Sequence, residues 1–288
     1  MNKAKIIVVT GANGLIGNNF CKLVKSMNFE VRLFDRNIHN FGSINSLMPL
    51  IKKADFIVHL AGEKSNDPVQ LKFNIESLRI IIQAANKFSP SAHIIFPSSF
   101  AVYKPPLKNQ VVSEDFDLEP RNAYGESKLL CEEYLTREIP KTDLKATLLR
   151  FANVYGKNVN PKDNSLITHI LTALKEGSTL VITGDGWQIR DFLHVGDAAS
   201  AVLAVILKNS TEKTSIYNIC SGRGVSINEV VSMVERVSGK KLKTKFIEAK
   251  STDLGYFVGS FEKAERKFNW TPKITLTRGL RTIFGHRF

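Results

Sequence analysis

A chain of 288 residues, 43% hydrophobic and 23% charged, can bury a sizeable core without disulfides or a structural metal, and its balance excludes disorder and fibrous repeats. It has room for one large α/β domain, or for a large domain and a smaller one. The 40 Lys and Arg against 27 Asp and Glu leave a formal charge of +13, which raises nucleic acid or an anionic membrane as a partner.

In chain order, Lys5-Ile-Ile-Val-Val-Thr10 reads as a buried strand, Leu15 to Met27 as a helix and Glu30 to Asp35 as a second strand. Phe56 to Leu60 and Ala92 to Phe96 are further strands, with a helical pattern from Asn74 to Lys87 between them. A helix around Tyr124 to Arg137 precedes a strand from Leu144 to Phe151. Apolar strands alternating with amphipathic helices imply a parallel sheet covered on both faces. The stretch between Asp35 and Asp55 is short for a full strand–helix unit, so the sheet is expected to be trimmed there. Ile6 to Val9 is too short for the core of a signal peptide, and Ala198 to Leu207 is half the ~20 residues of a spanning helix. Cys21, Cys131 and Cys220 are far apart and read as small hydrophobes in a reducing compartment. A cytoplasmic protein is expected.

Gly11, Gly14 and Gly17 fall between the first strand and the first helix. Glycines there permit a tight turn, let a pyrophosphate approach the backbone and bring the helix close to the strand, while the helix N-terminus offers free N–H groups to the anion. Asp35 ends the second strand, 18 residues after Gly17, where an acid accepts hydrogen bonds from an adenosine ribose and disfavours a 2′-phosphate. Arg36 beside it leaves NADP open. Tyr124 and Lys128 stand at i and i+4, on one face of a helix. A free phenol titrates near pH 10; a neighbouring ammonium favours the phenolate and makes proton abstraction from a sugar hydroxyl feasible near neutrality. Ser99, after the strand ending at Phe96, is placed to share the hydrogen bonds of the reacting oxygen.

These motifs, with His59-Leu-Ala-Gly62, Ser98 to Tyr103, Arg150-Phe-Ala-Asn-Val-Tyr-Gly156, Gly184 to Asp197, Tyr217 to Gly222 and Phe268 to Pro272, resemble an extended short-chain dehydrogenase/reductase of the NAD-dependent epimerase/dehydratase branch. The resemblance covers nearly the whole chain. It implies a Rossmann-type doubly wound parallel sheet with a smaller C-terminal α/β substrate domain. Residues 1–155 would form the dinucleotide-binding domain with 190–222 returning to it, and 156–189 and 223–288 would bind a nucleotide sugar.

The resemblance also implies Ser99, Tyr124 and Lys128 as the catalytic group. Its cofactor contacts would be Gly11, Asn13, Gly14, Leu15, Ile16, Gly17, Asp35, Arg36, Ser43, Ile44, Leu60, Ala61, Gly62, Lys64, Asn74, Tyr124, Lys128 and Phe151. Substrate contacts would be Ser99, Tyr124, Asn153, Arg190, Lys250 and Asp253, with Arg190 suited to diphosphate oxygens and Lys250 a point charge where the family has Arg. Ser43 stands where the family has an Asp. Phe100 and Ala101 replace the Asp-Glu pair of family dehydratases, and no Cys/His couple falls where 3,5-epimerising reductases need one. Phe100 and Lys104 also stand where the family has small residues, so the sugar pocket is not a standard one.

The expected activity is therefore an NAD-dependent nucleotide-sugar 4-epimerase working through a transient 4-keto sugar. The alternatives are an NAD(P)H-dependent reductase of nucleotide-linked 4-keto-6-deoxysugars and, further off, a non-catalytic nucleotide- or RNA-binding Rossmann protein. Family members commonly dimerise through the helices at about 74–87 and 124–138, which implies a homodimer. The six histidines show no metal spacing, with His59 and His194 read as structural, and no basic–aromatic nucleic-acid motif is present. Neither a metal, a nucleic acid nor a membrane is expected as a partner; Arg190, Lys250 and Lys64 direct a small share of the positive charge at anionic small molecules, and the rest reads as solvated surface.

Overall fold

The computed structural model describes residues 4–65, 67–157, 165–208, 210–249 and 255–285. Four consecutive apolar residues, Ile6 to Val9, make β1 (Lys5–Thr10) a strand buried on both faces. It pairs in parallel with β2 (Phe29–Leu33) on one side and β3 (Phe56–His59) on the other. α1 (Leu15–Val24) connects β1 to β2, while only a one-turn helix, α2 (Met48–Ile51), precedes β3. β2 is consequently the sheet edge: the segment after Asp35 contributes no strand, as its length implied.

α3 (Pro68–Phe88) starts six residues before the periodic pattern does. Asp67 accepts the Val69 N–H at 2.9 Å and Pro68 occupies the first turn, where its missing N–H costs nothing. β4 (His93–Ser99) runs three residues beyond the expected Phe96, straight through Pro97. β5 (Val111–Val112) is followed by α4 (Ala123–Glu138), capped by the Asn122 side chain, and β6 (Lys145–Phe151).

Beyond β6 the chain alternates between two regions. β7 (Asn153–Tyr155), α5 (Leu166–Glu176), β8 (Thr179–Thr183) and β9 (Ile189–His194) leave the large sheet. α6 (Val195–Lys208) and β10 (Thr214–Ile219) return to it, α6 against α1 and β10 beside β6. β11 (Gly224–Ser226), α7 (Ile227–Ser238), β12 (Lys243–Ile247), β13 (Val258–Gly259), α8 (Glu262–Phe268) and α9 (Leu276–Ile283) complete the described chain. The large sheet has the order β10-β6-β4-β3-β1-β2, all parallel. β9 does not join it but pairs with β7 and β11.

Two apolar layers cover the large sheet. One includes Phe20 and Val24 of α1, Val202 and Val205 of α6, and Phe268. The other includes Leu50 and Ile51 of α2, Leu78 and Ile81 of α3, and Cys131 and Leu135 of α4. A third cluster joins Ile170, Leu180, Val230, Val234 and Leu280 of the C-terminal elements. Strand order reverses at β1, so the carboxyl ends of β1 and β3 flank a crevice, the position at which open α/β sheets bind ligands.

Candidate active site

The turn from β1 into α1 is shaped by bare backbone. Gly11 has φ +68°, and a side chain on it would start 2.5 Å from the Leu60 carbonyl carbon; one on Gly17 would start 2.2 Å from the Gly11 oxygen. The helix therefore begins directly on the strand end. Gly14 caps α1 without a side-chain hydrogen bond, so the first turn of the helix keeps its N–H groups for a ligand. This turn forms one wall of a cleft of about 830 Å³.

The opposite wall is carried by β4 and α4. Ser99 ends β4, and its Oγ accepts the Ala101 N–H at 3.2 Å. Tyr124 lies in the first turn of α4, where Asn122 Oδ1 accepts the Gly125 N–H at 2.8 Å. Lys128, one turn on, donates from Nζ to the Pro97 carbonyl at 2.9 Å and lies 5.9 Å from the centre of the Tyr124 ring. Gly125 makes this docking possible: any Cβ there would be 2.2 Å from the Ala101 oxygen. Burial pulls the Lys128 pKa down, opposed by the neighbouring Cys131 and Glu132. The structure thus brings Ser99, Tyr124 and Lys128 to one cleft, together with Gly11, Gly14, Leu15, Ile16, Gly17, Leu60, Gly62, Lys64, Phe151, Asn153 and Arg190.

Other expected contacts are placed differently. Asn74 is buried and spends both ends of its amide on protein: Oδ1 accepts the Glu63 N–H at 2.7 Å, and Nδ2 donates to the Glu63 carbonyl and to Ser127 Oγ, each at 3.1 Å. It therefore ties the 62–64 loop to α4. Asp35 and Arg36 are exposed in the turn after β2, which ends at Leu33, and Asp35 Oδ1 accepts the Asn37 N–H at 2.8 Å. Asn13 and Ser43 are exposed, Ile44 packs on the α2–α3 layer, and the Ala61 N–H donates to Thr10 Oγ1 at 3.1 Å. Lys250 and Asp253 lie outside the described residues. Asn153 donates to the Asp191 carbonyl at 2.9 Å, which fixes its side chain across β9.

His59 is a structural histidine. Thr10 Oγ1 sits 2.8 Å from Nδ1 and Ser77 Oγ 3.3 Å from Nε2; burial, aided by Lys128, drives its pKa down to about 3, so the ring stays neutral. His194 accepts the Gly196 N–H at 3.1 Å and stands edge-on to Tyr155. Phe100 packs against Phe257 and edge-on to Tyr103, forming an aromatic wall beside Ser99, and Lys104 faces Glu119 on the surface at 3.6 Å.

Several residues of consequence have no role assigned from the sequence. Arg121 lines the cleft just before the Asn122 cap. Asp191 is buried and accepts the N–H groups of Ser221, Gly222 and Gly259 and the Ser221 hydroxyl, which pins the loops around Arg190. Burial outweighs those bonds and raises its pKa to about 6. Beneath the cleft, Arg150 forms a buried ion pair with Glu132 at 2.6 Å. The i, i+4, i+8 spacing of Tyr124, Lys128 and Glu132 was the available signal for the last of these.

A glycine-built anion turn at the switch point of a parallel sheet, facing a Ser, Tyr and Lys group, defines a dinucleotide-binding α/β protein of the short-chain dehydrogenase type. The chain belongs to the NAD dependent epimerase/dehydratase family, whose model matches residues 7–220. It is 26% identical to a UDP-glucose 4-epimerase of Corynebacterium glutamicum over 96% of this chain and 93% of that protein. It is 30% identical to a bifunctional UDP-glucose and UDP-xylose 4-epimerase of Pisum sativum, over 90% of this chain and 78% of that protein. Its fold matches the crystal structure of the Thermotoga maritima UDP-glucose 4-epimerase with a TM-score of 0.87, covering 97% of each chain at 24% identity.

Proposed function

We propose that the protein is an NAD-dependent nucleotide-sugar 4-epimerase, and that its nucleotide sugar is UDP-linked, as in the proteins it resembles. The observation that carries this reading is the convergence of Ser99, Tyr124 and Lys128 on the cleft built by the glycine turn. The cradle fits a dinucleotide: Gly11 and Gly17 leave no side chain over the turn, and the uncapped start of α1 offers N–H groups to a pyrophosphate. Gly62, Lys64, Leu60 and Phe151 would flank it, with Asp35 and Arg36 at the adenosine end. Bound there, NAD supplies the acceptor and then the donor for the hydrogen on the sugar C4.

The chain supplies the rest. Tyr124 takes the C4 hydroxyl proton and gives it back to the same oxygen after the sugar has turned; Ser99 shares a hydrogen bond with that oxygen. Lys128 favours the phenolate through its charge. Arg190 and Asn153, with Lys250 and Asp253, would hold the diphosphate so that the sugar turns while the nucleotide stays anchored. We further propose that the chain works in the cytoplasm as a homodimer through the outer faces of α3 and α4, where Leu130 is exposed and Tyr134 lies between Arg79 and Arg137.

The test is incubation with UDP-glucose and no added reductant. UDP-galactose should form without net consumption of NADH, and Tyr124→Phe should lose about 1000-fold in turnover while keeping its cofactor. Stoichiometric use of NAD(P)H on a nucleotide-linked 4-keto sugar, or full activity in Tyr124→Phe, overturns the reading.

A further inference from the structure

We propose that Glu132 is a positioning residue for the catalytic group: it pins the face of α4 that carries Tyr124 and Lys128 to the end of β4 that carries Ser99. The proposal rests on the catalytic roles given above for these three residues. The argument begins with spacing. Tyr124, Lys128 and Glu132 follow one another at single helical turns, so they form one column on α4. Three consecutive residues of β4 meet that column or its target. The Pro97 carbonyl accepts from Lys128 Nζ, the Ser98 hydroxyl donates to Glu132 Oε1, and Ser99 enters the cleft.

Glu132 is in turn held from the neighbouring strand. Arg150 of β6, the register partner of Ser98, donates from Nε to both carboxylate oxygens at 3.0 and 3.2 Å and from Nη2 to Oε2 at 2.6 Å. Its remaining nitrogen donates to Tyr103 Oη at 2.9 Å and to the Glu114 carbonyl at 3.1 Å; Tyr103 then donates to Asn218 of β10 at 2.6 Å. Ser98, Tyr103, Glu132, Arg150 and Asn218 are all buried. The column on α4 is thereby registered against three strands.

Stability alone does not explain a charge pair at this place, because an apolar pair of similar volume is commonly as stable as a buried ion pair, or more so. What apolar packing cannot reproduce is directional anchoring of Ser98 and a negative charge one turn from Lys128. Besides the Pro97 carbonyl and the Phe96 ring, the titratable groups that act on Lys128 are Tyr124, Cys131 and Glu132 on α4 and His59 on β3. His59 is neutral, and burial pushes the Cys131 thiol up to about 11, so at neutral pH the charge that supports the Lys128 ammonium is that of Glu132.

Two variants test this. Ser98→Ala removes the strand anchor and leaves both charges paired; it should keep its cofactor and KM and melt slightly below the parent while kcat falls about tenfold, the worth of one hydrogen bond. In the apolar double variant Glu132→Met with Arg150→Met, the protein should melt close to the parent, lose about 100-fold in kcat and show the alkaline limb of kcat/KM at lower pH. The Lys128 titration, followed by NMR of isotope-labelled lysine ε-carbons and assigned by its loss in Lys128→Met, should move to lower pH with it. Parental kcat in Ser98→Ala across the pH range overturns the proposal, as does an unmoved Lys128 titration in the double variant. Should the double variant not fold, Ser98→Ala decides alone. An absence of epimerase activity in the parent would strike the functional reading and leave the NMR arm to judge Glu132.

Discussion

The proposed catalytic and adenosine regions are built on opposite physical terms. At the catalytic end, α4 is locked to β4 and β6 by buried polar groups, with Lys128, Glu132 and Arg150 each at most 5% exposed. In the proposed adenosine region, β2 is an edge strand, the helix that follows it is a single turn, and Asp35 and Arg36 lie in solvent. That end is held by the stack of Phe34 on Phe41 at 4.3 Å and by the Asn37 N–H bonded to Asp35. Each end even has its own ion pair: Glu132 with Arg150 in the interior, half-exposed Glu30 with Arg32 at the edge. A group that must present a phenol within a fraction of an ångström benefits from low dielectric and full satisfaction. The handle proposed for a ribose can rest on one exposed carboxylate.

The comparison can be broken by removing one partner from each pair. Arg150→Met leaves a buried, unpaired carboxylate and should cost about 3–5 kcal/mol, read as a lower denaturant midpoint. Gly125→Ala forces a methyl group into the Ala101 carbonyl and should cost about 1–3 kcal/mol. It should also reduce kcat more than KM, because the first turn of α4 carries Tyr124. Arg190→Leu removes a charged grip and should raise KM for the nucleotide sugar about tenfold or more, with a smaller change in kcat.

A subtler effect belongs to His59. The unfolded chain takes up its proton near pH 6.5 and the folded chain resists to about pH 3, so its stabilising contribution is full above 6.5 and is lost as pH falls. Asp191 acts in the opposite sense, since its folded pKa of about 6 exceeds the free value of 3.8 and folding gains from its protonation. The stability difference between parent and His59→Gln cancels Asp191. That difference should shrink by about 2 kcal/mol between pH 7 and pH 5 in parallel melts. Smallest of all, Glu30→Gln at the sheet edge should change stability by less than about 1 kcal/mol. A loss there as large as that of Arg150→Met would erase the contrast between the ends.

Much of this was legible in the sequence because the signals are local. β1 spans Lys5 to Thr10 around its apolar tract Ile6 to Val9, and the glycine spacing marks the turn into α1. The errors fell where a local rule met tertiary support. The apolar run of β4 stops at Phe96, yet the strand continues through Pro97 to Ser99. The helical pattern of α3 begins at Asn74, although Asp67 and Pro68 form a start signal six residues earlier.

By itself, then, the sequence determined the alternating elements, the glycine turn and the one-face placement of Tyr124 and Lys128, since each depends on spacing within a few residues. Which partners those elements meet was decided by the tertiary structure. Asn74 tying the 62–64 loop to α4, Gly125 yielding to Ala101, Asp191 collecting four donors, and Glu132 reaching Ser98 and Arg150 all join residues far apart in the chain. Local periodicity carries no information about such pairings. They exist because a buried polar group must find its partner wherever the fold brings one.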